Sequence, residues 1–136
     1  MCLLKCLLQF RPSQVRVEVD GKPLELRVFS LNVGICKYSG GGMMFAPQAI
    51  PDDGLFDITV IGEMGTPEVL MNIRRLYNGS ILSHRKVRSL RGKSVRIRSE
   101  PEIALEIDGE SAGMSPFEFE IIPRAVGVLS RLETIN

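Results

Sequence analysis

The chain departs most clearly from an ordinary β-protein at residues 33–57, which read VGICKYSGGGMMFAPQAIPDDGLFD. Glycine loses more conformational freedom on folding than any other residue, so three in succession at 40–42 are expected only where the backbone needs a particular path. The sequence Pro-Asp-Asp-Gly at 51–54 adds a second special turn to the same connection. The stretch therefore predicts a shaped surface loop and not a simple link between two strands.

The composition is that of one globular domain. The chain has 136 residues, of which 44% are hydrophobic and 24% are charged, which suits a single core and excludes a disordered segment. The formal net charge of +1 gives no overall field that would attract nucleic acid, so we expect no nucleic-acid partner. Basic residues cluster between 85 and 98, where a solvated strand edge is favoured over a binding face.

The three cysteines, Cys2, Cys6 and Cys36, have neither the number nor the spacing of a disulfide framework or a metal site. A reducing, cytoplasmic location is therefore expected. No apolar run has the length of a transmembrane helix. Residues 1–11 carry no cleavage site, and their leucine spacing predicts the end of an amphipathic helix from a preceding part of a larger protein.

Strand signals dominate the rest of the chain. Residues 15–19 alternate strictly between apolar and polar, which predicts a strand with one buried face. Asp20-Gly21 is a strong signal for a hairpin turn, and residues 24–32 are predicted to return as the second strand. A short strand is expected at 43–46. Residues 55–61 are β-branched and apolar, which predicts a strand that is buried on both faces.

One internal helix is predicted from residue 66 onward. Thr66 can cap it, Pro67 suits its first position, and Glu68 complements the positive end of the helix dipole. Gly79 is expected to end it. Its apolar face is predicted to consist of Val69, Leu70, Ile73, Leu76 and Tyr77.

Further short strands are predicted at residues 86–90, 94–98, 103–107, 117–122 and 125–129, with turns between them. Many short strands of this kind predict a mainly β fold, an antiparallel β-sandwich or barrel-like domain with one or two short helices. Residues 1–136 are expected to form a single domain.

Two acidic turns are the candidate sites. Asp52 and Asp53, with Asp57 close after them, could bind a hard cation such as Mg²⁺ through carboxylates and inward carbonyls, but an ordinary turn also explains Asp and Gly there and is favoured. Asp108 and Glu110 could act as a base or as metal-facing carboxylates at a sheet rim, or could simply flank a hairpin turn.

Two other features carry weaker signals. The glycines at 40–42 could bring backbone N–H groups to an anion, but the lysine and the helix of a phosphate-binding loop are missing. His84 lies in a polar stretch and is interpreted as a surface residue. Composition and spacing alone therefore lead to one all-β domain with two acidic turns.

The order of these features resembles the C-terminal domain of the diacylglycerol/sphingosine lipid kinase family, and most closely its bacterial YegS and BmrU-like diacylglycerol kinase branch. The resemblance covers nearly all of the chain from about residue 12 onward. No single motif is specific, and the order and spacing carry it. The residues concerned are Asn32, Gly40-Gly41-Gly42-Met43, Ala46-Pro47, Ala49, Pro51-Asp52-Asp53-Gly54-Leu55-Phe56-Asp57, Gly79, His84, Asp108-Gly109-Glu110 and Pro123-Arg124-Ala125.

The resemblance implies a two-domain enzyme that transfers the γ-phosphoryl group of ATP to a lipid hydroxyl in the cleft between its domains. It implies a structural Mg²⁺ held by the carbonyls of Ile50 and Leu55 and the side chain of Asp53. It places Asp108, Gly109 and Glu110 at the nucleotide side of the site. Glu110 then stands in the proton-acceptor position, and Asp108 lies near the nucleotide and its metal.

The chain lacks the Gly-Gly-Asp-Gly motif with which the family binds ATP. We therefore expect a C-terminal lipid-binding and catalytic-rim domain that is inactive alone, with a lipid substrate, the ATP-binding domain of the same parent protein and the inner membrane surface as its partners. A strand is expected to be missing from the sandwich, and the resulting open edge is compatible with a homodimer. The alternatives are a stand-alone, non-catalytic module that binds lipid or a partner, and a purely structural or dimerising module.

Overall fold

The computed structural model describes residues 12–129. In this part of the chain lie ten strands, one α-helix and one short 3₁₀ turn at Ile81–Ser83. The helix, α1, spans Thr66–Tyr77. The strands are β1 Ser13–Val19, β2 Lys22–Gly34, β3 Tyr38–Ser39, β4 Met43–Met44, β5 Phe56–Gly62, β6 Val87–Gly92, β7 Ser94–Ser99, β8 Ala104–Ile107, β9 Glu110–Met114 and β10 Phe117–Glu120.

Six of these strands form one antiparallel sheet in the order β10-β7-β1-β2-β5-β6, and two hairpins, β3–β4 and β8–β9, lie beside it. The sheet curls until β6 touches β1, from which two strands separate it. At that contact a side chain at Gly92 would collide with Val19. Near this contact, the Asp20 carboxylate accepts from the N–H groups of Lys93 and Ser94, each at 2.9 Å. The antiparallel, sandwich-like fold is confirmed, and the described strands do not close into a barrel.

The predicted first hairpin is confirmed. β1 and β2 pair in register, with Val17 opposite Leu24. Both turn residues have positive φ, +48° at Asp20 and +81° at Gly21, as a type I′ turn requires. The apolar positions of β1 are fully buried in the core, which is why strict alternation in the sequence identified the strand so clearly.

β5 is buried on both faces, as its sequence predicted. Ile58 and Val60 belong to the main core on one face of the sheet. Ile61 points to the other face, where it joins Met64 and Val87 under the helix. Successive side chains of a strand point to opposite faces, so a strand that is covered on both sides is apolar throughout.

The helix prediction needs two corrections. Gly65, and not Thr66, is the N-cap residue. Leu70 and Tyr77 are about half exposed. Val69 and Leu76 are the helix residues that pack against the core cluster formed by Ile61, Met64, Ile81 and Val87. The helix lies on a small apolar patch and needs only a narrow stripe to cover it. The helix ends at Tyr77 with Asn78 as its C-cap residue, and the following Gly79 has φ +74°.

Three strand predictions also change. The short strand expected at 43–46 is limited to Met43–Met44. Residues 125–129 form no strand, and Val126 and Val128 are exposed there. The strand Glu110–Met114 was not predicted, because its sequence, ESAGM, has neither β-branched residues nor alternation.

An ion-pair cluster ties the helix to the sheet. Lys86 Nζ donates to Glu68 Oε2 at 2.6 Å, and His84 Nε2 lies 3.7 Å from Glu68 Oε1. The hydrogen bond from Lys86 lowers the pKa of the Glu68 carboxyl. The His84 side chain is only 10% exposed, so the interpretation of His84 as a surface residue is wrong.

Candidate functional site

The acidic turn at 51–54 is held together by Asp53. The Leu55 N–H donates to Asp53 Oδ1 at 2.9 Å, and the Asp53 N–H donates to the Ile50 carbonyl at 3.3 Å. Gly54 has φ +73°, a conformation that favours glycine. Ile50, Asp53 and Leu55, the three residues for which the resemblance implies a magnesium site, therefore belong to one compact turn.

Arg91 bridges this turn to the sheet. The β5–β6 register places Arg91 directly opposite Asp57, and Arg91 Nε donates to Asp57 Oδ1 at 3.0 Å. A terminal nitrogen of the same guanidinium donates to Asp53 Oδ2. One guanidinium thus bridges two carboxyl groups, one on the loop and one on the strand.

Asp57 is the buried member of this cluster. Its side chain is 3% exposed, and Asp57 Oδ2 has no hydrogen-bond partner among the residues that the structure describes. Burial raises the pKa of the Asp57 carboxyl, the neighbouring Asp53 adds to this effect, and Arg91 opposes it. A buried carboxylate with one orphan oxygen is unusual in native structures and calls for a partner such as an ion or an ordered water.

The donor set fits Mg²⁺ in kind, because that ion is bound in proteins by one or two carboxylates together with other oxygens and water. The Asp53 carboxylate is already shared with Arg91, so a cation would have to compete with the guanidinium for it. Within residues 12–129 no group of three or more His, Cys, Asp or Glu side chains could hold a metal. A cation at this turn therefore depends on the backbone carbonyls of Ile50 and Leu55.

The second acidic turn joins β8 to β9. Ile107 and Glu110 pair across the hairpin, and Asp108 and Gly109 between them have φ values of +49° and +87°. These are the signs of a type I′ turn. Asp108 and Glu110 are exposed, so both carboxylates are accessible to a substrate.

A cavity of about 580 Å³ lies between the β8–β9 hairpin and the main sheet. Its wall is mostly apolar, and two of its phenylalanine rings, Phe117 and Phe119, have centroids 6.4 Å apart. Asp108 also lines the cavity. The apolar side chains in the wall include those of Leu31, Val33, Phe56, Ile97, Ile103, Leu105 and Ile107.

The β3–β4 hairpin reaches the same cavity. Ser39, the last residue of β3, is part of the wall. The three glycines that follow all have positive φ, from +23° to +87°, so they form the tight turn between β3 and β4 and are not followed by a helix. This turn explains the glycine run without an anion site.

The structure places the predicted residues in two groups, one around Arg91 and one at the cavity. Phe56 and Asp57 are neighbours on β5 with opposite directions: Phe56 lines the cavity, and Asp57 faces Arg91. The Asp53 turn and the cavity thus share one strand, but Asp53 is not part of the cavity wall.

Arg91 was not predicted from the sequence as a site residue. Arg91 lies just after the predicted strand 86–90, and the pairing with Asp57 spans 34 positions, so no local signal pointed to it.

Comparisons with known proteins agree with this architecture. The sequence model of the YegS C-terminal NAD kinase beta sandwich-like domain matches residues 1–130. A diacylglycerol kinase of Bacillus subtilis (strain 168) is 25% identical over 126 residues, which are 93% of this chain and 42% of the relative. A diacylglycerol kinase of Staphylococcus carnosus (strain TM300) is 28% identical over 133 residues, which are 98% of this chain and 44% of the relative.

The fold is also similar to that of a solved structure. A crystal structure of a diacylglycerol kinase from Bacillus anthracis str. Sterne superposes with a TM-score of 0.66 at 23% identity, and the match covers 88% of this chain and 43% of the other. The chain spans less than half the length of the curated relatives that it matches. Among residues 12–129, no helix is long and apolar enough to cross a membrane.

Proposed function

Because the chain belongs to the family of YegS C-terminal NAD kinase beta sandwich-like domains, we propose that it is the lipid-binding and catalytic-rim domain of an ATP-dependent lipid kinase with a diacylglycerol-like substrate. The observation that carries the proposal is the apolar cavity with Asp108 in its wall. A long apolar chain needs such a slot, and a hydroxyl to be phosphorylated needs an accessible polar group at its end. The names of the relatives, which are diacylglycerol kinases, support the same substrate class.

The cavity has a suitable size and chemistry for acyl chains. Ligand pockets in proteins typically measure roughly 300–1,000 Å³, and a cavity of about 580 Å³ falls within that range. Its apolar wall would shield the chains from water, which favours binding by about 25 cal/mol for each Å² of buried apolar surface. The lipid hydroxyl would remain near the Asp108–Gly109 turn.

Phosphoryl transfer depends mainly on the positions of the reactants and on neutralising charge, so the two carboxylates of this turn would have separate roles. Glu110 would accept the proton of the attacking hydroxyl, and Asp108 would face the nucleotide and its metal. ATP would be held mainly by a separate N-terminal domain of the parent protein. Mg²⁺, when bound by Asp53 and the carbonyls of Ile50 and Leu55, would supply positive charge that fixes the acidic turn.

The magnesium site gives a prediction about stability. Millimolar Mg²⁺ should raise the melting temperature of the chain, because a ligand that binds only the folded state stabilises it by about 1.4 kcal/mol at ten times its Kd. For a domain of this size the shift is roughly 5 °C. Asp53→Ala should abolish the shift, whereas Asp52→Ala, which removes a carboxylate of the same turn that is not among the three proposed ligands, should keep it. A wild-type melting curve that Mg²⁺ does not move would contradict the site.

The cavity gives a prediction about ligand binding. Leu105→Trp adds bulk inside the cavity and should weaken the binding of a soluble short-chain diacylglycerol by about tenfold or more, as expected for overfilling a packed site. Leu70→Trp is the matched control, because it makes the same change on the exposed side of α1. Isothermal titration calorimetry measures both affinities. Equal affinities in the two variants would place the lipid elsewhere.

The kinase reaction itself is tested by phosphate transfer. The 136-residue chain and a longer protein that joins it to its ATP-binding domain are each incubated with labelled ATP and a panel of lipids. We expect label on one lipid class with the longer protein and none with the chain alone. Label on no lipid, although the chain binds diacylglycerol, would favour a non-catalytic lipid-binding module instead.

A further inference from the structure

The cavity has two unlike ends, and β8 runs from one to the other. Residues 103–108 line the cavity without a break. At the hairpin tip, Asp108 is exposed and Ile107 beside it is 49% exposed. Ile103, just before β8, instead packs against the main core cluster. The cavity is therefore open to solvent at the hairpin tip and faces the core at the base of the hairpin.

Buried apolar side chains close the core end. Val28 and Ile97 line the cavity, belong to the main core cluster and are only 4% and 3% exposed. Phe117 also lines the cavity, packs against the same cluster and lies directly opposite Ile97 in the β10–β7 pair. Directly opposite residues of paired strands are neighbours on one face of a sheet. Together with Ile103, these side chains form an apolar end wall, here called the cavity floor (Val28, Ile97, Ile103 and Phe117).

The backbone of Ile103 is fixed at the base of the hairpin. The Ser115 N–H donates to the Ile103 carbonyl at 2.8 Å, and the Ile103 N–H donates to Ser115 Oγ at 3.1 Å. Ser115 is itself 3% exposed. Because protein interiors are close-packed, a bulky side chain held in this way does not readily give way to a ligand.

The distance between the two ends limits what the cavity can hold. Residues 103 and 108 are separated by roughly 16 Å along the strand, at about 3.3 Å per residue. An acyl chain whose hydroxyl end lies at the Asp108–Gly109 turn would therefore reach the cavity floor after a limited number of methylene groups. Methylene groups beyond that number would stay in water and add nothing to the affinity.

We propose that the cavity floor sets the length of the acyl chain that the protein accepts, and that Ile103 is the residue that determines this length. The inference rests on the proposed function, which supplies the lipid. It adds the direction of the lipid, with its tail toward the core and its hydroxyl toward Asp108, and an upper limit on the length of the tail.

The test is a series of 1-monoacylglycerols, from hexanoyl to myristoyl in steps of two carbons, titrated into the 136-residue chain by isothermal calorimetry below their critical micelle concentrations. For the wild type the affinity should rise by about fourfold per methylene group and then stop rising at one chain length, the length limit. Ile103→Ala makes room at the cavity floor and should move the length limit to longer chains. Ile103→Phe fills the same space and should move it to shorter chains.

Ile107→Ala is the matched control, because it makes the same chemical change as Ile103→Ala at the open end of the cavity. It should weaken all members of the series by a similar factor and leave the length limit where it is. A general loss of stability cannot produce opposite shifts in the two Ile103 variants. If Ile103→Ala does not fold, the shift toward shorter chains in Ile103→Phe decides the question.

The outcomes separate the cavity floor from the proposed function. If the wild type binds the series but its affinity rises through the longest chain, or if neither Ile103 variant moves the length limit, the role of the cavity floor is wrong while the proposed function stands. A length limit that moves in Ile107→Ala and not in Ile103→Ala would mean that the tail points toward the hairpin tip, which also overturns the inference. If the folded wild type binds no member of the series, the proposed function itself fails.

Discussion

Replacing Glu110 with Gln in the proposed lipid kinase is expected to lower kcat by about 100-fold or more, because general-base catalysis by a positioned carboxylate typically contributes 10²–10⁴-fold. The Gln side chain has nearly the same shape as Glu but cannot accept a proton at neutral pH. KM for the lipid should change little, since the acyl chains bind in the cavity and Glu110 is not part of its wall.

The position of Glu110 allows an effect on the rate to be separated from an effect on stability. Glu110 is exposed at the first position of β9, opposite Ile107, so the substitution leaves no buried partner unsatisfied. The melting temperature should therefore match that of the wild type, and a loss of rate cannot be attributed to unfolding.

Glu102→Gln is the control, because it makes the same chemical change at an exposed position just before the β8–β9 hairpin. Its kcat should equal that of the wild type. A Glu110→Gln enzyme with wild-type kcat would exclude Glu110 as the proton acceptor. A large rise in KM with unchanged kcat would instead indicate a binding role.

Local features of the fold were predictable because they are written in short stretches of sequence. Strict alternation and the Asp20-Gly21 turn identified the first hairpin, and the Thr-Pro-Glu sequence at 66–68 located the helix to within a residue of its start. The helix face was predicted too broadly. Periodicity indicates which residues lie on one side of a helix, but the area that the sheet offers decides how many of them are buried.

Long-range relations could not be predicted in the same way. The Asp20 carboxylate accepts from the N–H groups of Lys93 and Ser94, which are 73 and 74 positions away in the sequence. This contact depends on the curl of the sheet. β9 escaped prediction because pairing with β8, and not its own composition, makes it a strand.

The same distinction between local and long-range features applies to the candidate site. Both acidic turns were found from Asp-Gly signals, and the resemblance implied their roles. The cavity between the β8–β9 hairpin and the sheet results from how these elements pack, so it could not be predicted from any single stretch of sequence. The direction of Phe56 into the cavity and of Asp57 toward Arg91 could be expected from strand alternation, but what lies on each face could not.

Arg91→Ala is expected to lower the free energy of unfolding by about 2–3 kcal/mol. Removing one partner of a buried ion pair typically costs about 3–5 kcal/mol, and the partial exposure of the Arg91 side chain, 39%, reduces that value. The loss has a definite origin. The Asp57 carboxylate is buried, its Oδ2 has no hydrogen-bond partner within residues 12–129, and its Oδ1 accepts from Arg91 Nε at 3.0 Å. Arg88→Ala, at an exposed position of the same strand, should change stability by less than about 0.5 kcal/mol.

Two further measurements identify the cause of that loss. In the double variant Arg91→Ala/Asp57→Asn the buried charge is gone, so denaturant unfolding should show recovery of part of the stability, which is the coupling expected for residues in contact. Mg²⁺ should stabilise Arg91→Ala more than the wild type, because the Asp53 carboxylate is then released from the guanidinium. Equal losses for Arg91→Ala and Arg88→Ala would mean that the bridge contributes nothing to the fold. A Mg²⁺ response that is unchanged by Arg91→Ala would mean that guanidinium and cation do not compete for Asp53.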